Sequence, residues 1–123
     1  QAADLGAGRQ DMKAGLRERV FERDTHCVKC GRTLHDSVAC HHRKLRKHGG
    51  QDALSNLIGL CSTCHNIAPD SVHQNPRDSY ENGWLVPSWA DPAEWPMTMP
   101  DGTRVLLNDH GEITIVEGRG NGW

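Results

Sequence analysis

Cys40-His41-His42-Arg43-Lys44 decides how this chain is read, because its two adjacent histidines stand between two Cys-x-x-Cys pairs and ahead of an asparagine and a further histidine. The pairs are Cys27-Val28-Lys29-Cys30 and Cys61-Ser62-Thr63-Cys64, the asparagine is Asn56 and the histidine is His65. Two knuckles supply the four thiolates that tetrahedral zinc accepts, with no position left open, so this ion would be structural rather than catalytic. Gly31, just after the first knuckle, can take the left-handed backbone that aims both thiolates at one ion. Thirty residues, 31–60, separate Cys30 from Cys61, more than a minimal ribbon needs. The knuckles are therefore expected to clamp an inserted unit that carries the histidine pair.

Composition supports a stapled fold. A chain of 123 residues is one domain by length, yet it is only 36% hydrophobic, with one Phe and one Tyr, so its apolar core is thin. Five cysteines, an odd count in tight pairs, favour a metal in a reducing compartment over disulfides. No apolar run reaches the roughly 18 residues of a membrane span, and no leader opens the chain, so a soluble, cytoplasmic protein without a membrane partner is expected. The net charge of −2 hides an asymmetry. Residues 1–50 hold eleven Lys or Arg against six Asp or Glu, and residues 51–123 hold three against ten. A basic half that carries the motif suits a one-faced binder of polyanions.

Taken in order, residues 1–10 read as a tail. Residues 11–23 read as an amphipathic helix capped by Asp11, with Met12, Leu16, Val20 and Phe21 on its apolar stripe and Lys13, Arg17 and Arg23 turned to solvent or phosphate. The insert runs from Ser37 to Leu60: a strand over Val38–Arg43, a polar loop broken at Gly49-Gly50, and a strand over Leu57–Leu60. A helix follows, capped by Ser62, and Pro69 interrupts it. Asn75-Pro76 opens another helix, which Gly83 closes. Trp84 and Trp89 begin a Trp- and Pro-rich stretch that wraps the core and lends it buried area. Thr103–Leu107 and Glu112–Val116, joined by Asn108-Asp109-His110-Gly111, read as a hairpin.

Phosphodiester hydrolysis needs a base to take a proton from water and a cation to stabilise the developing charge. Neighbouring residues of a strand face opposite ways. His41 and His42 can therefore divide these tasks, one on metal and one facing water, and imidazole titrates near neutrality as such a base should. Arg43, Lys44, Arg46 and Lys47 follow directly and are expected to meet the phosphate backbone, positioning it without reading sequence. His26, His35, His48 and His110 are left as surface residues, and Cys40 as a small side chain packed beside the site.

The order Cys-x-x-Cys, His-His, Asn-Leu-Ile-Gly-Leu-Cys-x-x-Cys-His over residues 27–73 resembles the HNH endonucleases. The run from Val72-His73 through Pro76, Tyr80 and Gly83-Trp84 is similar to their phage and bacterial members. The resemblance implies an α+β fold: a small ββα-metal core with a structural zinc site on Cys27, Cys30, Cys61 and Cys64, flanking helices and a C-terminal hairpin. It implies an HNH domain over 11–95 and an extension over 96–123. It assigns His42 as the general base, Asn56 as the residue that tethers the loop and orients that base, and His41 and His65 as ligands of one catalytic divalent cation. His73 falls where some members carry a second ligand on the same helix, one turn on. Here it lies eight residues after His65, with Ile67–Asp70 as an apparent insertion. His41 stands where most members have Asp, which makes Zn, Ni, Co or Mn plausible beside Mg. The function implied is metal-dependent DNA cleavage, by a phage accessory protein working with a packaging terminase or by a stand-alone nicking enzyme. The alternative is a non-catalytic zinc module that binds nucleic acid or a protein partner, which would need none of His41, His42, Asn56 and His65. A redox protein is a third reading, with no reason for two matched cysteine pairs.

Overall fold

The computed structural model describes residues 14–35 and 38–117. They form an α+β arrangement of short elements: α1 (Leu16–Arg23), β1 (Val38–His42), β2 (Leu57–Cys61), a wide helical turn (Thr63–Ile67), α2 (Pro76–Glu81), and the strands β3 (Met97–Thr98), β4 (Arg104–Leu107) and β5 (Ile113–Glu117). No helix among the described residues is long and apolar enough to cross a membrane.

Strands β1 and β2 pair antiparallel, with His42 opposite Leu57, His41 opposite Ile58 and Val38 opposite Cys61. That register sets the histidine pair against an entirely buried strand, at the end of β2 opposite Cys61. The expected extents hold to within a residue of Arg43 and Leu60, and Ser37 lies outside the described residues. The loop between the strands folds back tightly. A Cβ on Gly50 would sit 1.7 Å from the Lys44 carbonyl oxygen, so only glycine fits there.

Helix α1 buries Val20 against Leu54 and Leu57, with Leu16 packed alongside. Asp11, Met12 and Lys13, the expected start of this helix, lie outside the described residues. Arg23 departs from expectation. Its side chain is turned inward, pairing with Asp24 at 2.8 Å and donating to the carbonyls of Leu54 and Leu57. Asp24 in turn accepts from the Gly59 amide at 3.0 Å. The last turn of α1 is thereby riveted to β2 and offers nothing to phosphate from Arg23.

Neither expected helix cap forms. Ser62 precedes the wide turn without a capping bond, and Asn75 precedes Pro76 but donates its amide to the carbonyls of Pro69 and Ser71. The hairpin is present as β4 and β5, and β4 takes β3 on its other side, a strand the Pro-rich sequence does not announce. Met97, Val105 and Leu107 enter the same core as Ile58, Leu60, Val72 and Trp84, so the C-terminal strands complete one hydrophobic interior with the cysteine knuckles. Trp84 contributes buried area as expected. Trp89 does not: it is 78% exposed, held edge-to-face against Trp95 at 5.4 Å, because residues 87–91 turn outward around Pro87.

Candidate metal centres and active site

The two knuckles bring Cys27, Cys30, Cys61 and Cys64 together, their sulfurs all within 4.8 Å of one another. Sulfurs about 2.3 Å from a tetrahedral ion lie about 3.8 Å apart. Cys30 and Cys61 are separated by 3.9 Å. The backbone amides of Cys30 and Arg32 point at the sulfurs of Cys27 and Cys30, each at 3.5 Å, and Gly31 has the positive φ the knuckle requires, 80°. Burial, and then the neighbouring Cys27, push the Cys64 thiol above its ordinary pKa. Four thiols this close, three of them buried and Cys30 exposed, would be poor company as neutral groups, and a cation that draws off their protons resolves the arrangement. The cluster is consistent with structural zinc.

A second cluster unites His41, His65 and His73, again with one nitrogen of each within 4.8 Å of the others. His41 is fixed first, by β1. Its ring is 2% exposed and donates Nε2–H to the Trp84 carbonyl at 2.8 Å, which leaves Nδ1 with the lone pair that a metal needs. His65 lies in the wide turn after the second knuckle. Eight residues onward, His73 returns to the same place because the chain between them loops out. The Val72 amide donates to the Cys64 carbonyl at 2.7 Å and the His73 amide to the His65 carbonyl at 3.2 Å, closing the loop at its base. The Nε2 atoms of His65 and His73 are 3.0 Å apart. Nitrogens about 2.1 Å from one ion stand roughly 3.0 to 3.4 Å apart, so this spacing suits two ligands of one cation.

Burial holds all three imidazoles toward the neutral form that binds metal. The His41 pKa is driven down to about 3, first by burial and further by His65, His73 and His42, against the opposing bond to Trp84. Burial and the charge of His73 lower His65, and burial lowers His73. The donor set is all nitrogen and neutral, which fits a borderline ion such as Zn, Ni or Co and suits the harder Mn and Mg less well.

His42, the next residue of β1, is held differently. Its Nε2 donates to Asp52 Oδ1 at 2.7 Å, and Arg46 approaches the same carboxylate at 3.0 Å. Nδ1 is thereby left as the basic nitrogen. Asp52 was not singled out in the sequence. Its one signal there is an acidic side chain in an otherwise basic loop, just after the Gly49-Gly50 turn. Asn56 is 1% exposed and acts as a clip: its Oδ1 accepts from the Lys44 amide at 2.7 Å, and its Nδ2 donates to the carbonyls of Lys44 and Gln51. The loop that presents Asp52 to His42 is thus pinned at both ends by one side chain.

The basic run divides. Lys47 and Arg46 are exposed, and Lys44 is half-buried with its ammonium 3.1 Å from the Ala90 carbonyl. Arg43 cannot meet phosphate. Fully buried, it donates to the carbonyls of Gly83, Ser55, Pro92 and Trp95 at 2.6 to 3.1 Å. Burial pulls its pKa down to about 9, still charged at neutral pH. His26, His35 and His110 are exposed as expected, whereas His48 is half-buried. Cys40 packs beside Val20, Leu54 and Leu57, and burial raises its thiol to about 11, which suits a packed side chain rather than a nucleophile.

Compared with known proteins, residues 27–71 match the family model described as HNH endonuclease. No curated protein and no solved structure matches the chain.

Proposed function

We propose that the chain is a metal-dependent DNA endonuclease with His42 as its general base, a reading supported by the match of residues 27–71 to the HNH endonuclease model. The observation that carries this reading is the juxtaposition on one short strand of a metal-competent histidine and a carboxylate-oriented one. His41 joins His65 and His73 as a three-nitrogen cluster, while its neighbour His42 is held by Asp52.

In this reading His41, through Nδ1, and His65 and His73 hold one divalent ion. When bound, that ion supplies positive charge for the non-bridging phosphate oxygen and the leaving oxygen. His42 takes a proton from the attacking water at Nδ1, while its Nε2–H stays with Asp52. Asp52 fixes the tautomer and ring orientation, and Asn56 holds the loop on which Asp52 stands. Lys44, Arg46 and Lys47 line the approach of the phosphate backbone. The four cysteines hold structural zinc and take no part in the chemistry. They set the register that places His65 one residue after the knuckle. The domain is taken as residues 11–95, with 96–123 as an extension that completes its core. The partner proposed for it, besides DNA, is a phage packaging terminase.

Cleavage of supercoiled plasmid by the purified protein, assayed across Mg, Mn, Ni, Co and Zn, tests the proposal. Product that requires a metal and falls by roughly 10²- to 10⁴-fold in His42→Ala, with fold and zinc content unchanged, is expected. A folded, zinc-bound protein that gives no product with any of these ions would refute it in favour of a binding module.

A further inference from the structure

Trp89 is the most exposed large hydrophobic side chain among the described residues, and the cleavage chemistry leaves it unused. A tryptophan 78% open to solvent costs solubility and gains nothing for the core, yet this one is held upright against Trp95, with ring planes at 82°. It forms one wall of a cleft of about 420 Å³, within the range of small-ligand sites. Lys44 and Gln51 line the same cleft, and Gln51 and Ala53 flank the Asp52 that holds His42. Lys44 stands two residues beyond His42, in the bend that follows β1 and so at most about 7 Å away along the backbone, which is within one or two nucleotides along a strand.

From this juxtaposition, and resting on the nuclease reading above, we propose that Trp89 is a stacking platform for an unpaired nucleotide beside the scissile phosphate, and that the substrate is single-stranded or locally unpaired nucleic acid. Charge orients the nucleotide. The Lys44 ammonium uses one of its three donors on the Ala90 carbonyl and has two for a phosphate. Asp91 and Asp109 also line the cleft, their carboxylates accepting from the amides of Ala93 and Ser55. Lys44 is the one cation among the described lining residues, so a phosphate entering the cleft would lie against its ammonium rather than against these carboxylates, leaving the indole of Trp89 to the base. A base within a duplex already spends both faces on its neighbours. An unpaired one can give a face to indole, and such stacking is tolerant of sequence.

The test uses the full chain with its zinc, carrying His42→Ala to prevent cleavage. A fluorescein-labelled 12-mer single strand and the same sequence as a duplex are the probes, read by anisotropy. Trp89→Ala should weaken single-strand binding roughly 5- to 100-fold, Trp89→Phe should restore most of it, and duplex binding should change less than about twofold. With 2-aminopurine in the strand, protein-induced quenching should disappear in Trp89→Ala. Unchanged single-strand affinity in Trp89→Ala would overturn the platform and assign the exposed ring to a protein surface, while leaving the nuclease reading standing. Equal weakening of both probes would also overturn it, making Trp89 a general contact. The nuclease reading fails separately, through absence of metal-dependent cleavage by the unmutated protein.

Discussion

Replacing Arg43 separates two roles that its position beside His42 confounds. Were it a phosphate ligand, Arg43→Ala would leave the fold alone and reduce the salt dependence of DNA binding by about one phosphate contact, a change near 0.9 in the log–log slope. The structure dictates the reverse. The guanidinium is wholly buried and satisfies four carbonyls, those of Gly83, Ser55, Pro92 and Trp95. Hydrogen bonds from a charged donor contribute about 1.5 to 3 kcal/mol each, so the gross gain is on the order of 6 to 12 kcal/mol. Desolvating the cation offsets several kcal/mol of this, and breaking a comparable buried ionic group costs about 3 to 5 kcal/mol net. For a domain of this size that is a fall in melting temperature of roughly 10 to 20 °C. Arg43→Lys should recover only part of the loss, since one ammonium cannot span all four carbonyls. Urea denaturation followed by circular dichroism gives the stability, and anisotropy at several salt concentrations, below the melting range, gives the slope. A stable Arg43→Ala protein with a reduced slope would refute the reasoning.

Asp52→Ala should lower kcat roughly 10- to 100-fold with KM and melting temperature little changed, because it frees the His42 ring without emptying the core; an unaltered kcat would show that Asp52 does not orient the base. Cys61→Ser should strip zinc and unfold the domain, read by metal analysis and circular dichroism, and a folded zinc-free variant would sink the staple. Acid should destabilise the protein. His41 is neutral in the fold down to about pH 3 but titrates near 6.5 when unfolded, so the unfolded state takes up the proton first. Stability is therefore full above about pH 6.5 and declines as pH falls from there toward 3, an effect that His41→Asn should flatten in denaturation curves measured at several pH values.

Short-range covalent spacing determined much of this protein before any fold was known. Two residues between cysteines place both thiols on one ion, adjacent histidines on a strand face apart, and an alternating apolar run pairs as a hairpin, because each depends on only a few consecutive backbone angles. Helix α1, strands β1 and β2, and the grouping of the four cysteines were legible for that reason. What depends on distant segments was not. Whether His73 rejoins His65 turns on the backbone bonds that close the loop between Cys64 and Val72, and no spacing rule sees an eight-residue excursion return to its start. Arg43 sits in a basic run that reads as a phosphate contact, and only the segment from Gly83 to Trp95, laid over it, makes it an interior cation. Asp52 became the partner of His42 through the folded loop, and Trp89 came to the surface because residues 87–91 turn outward around Pro87 while Trp84 enters the core. The sequence by itself determined which atoms could bind metal or take a proton; tertiary packing decided which of them meet, since burial and hydrogen-bond satisfaction are settled by residues far apart along the chain.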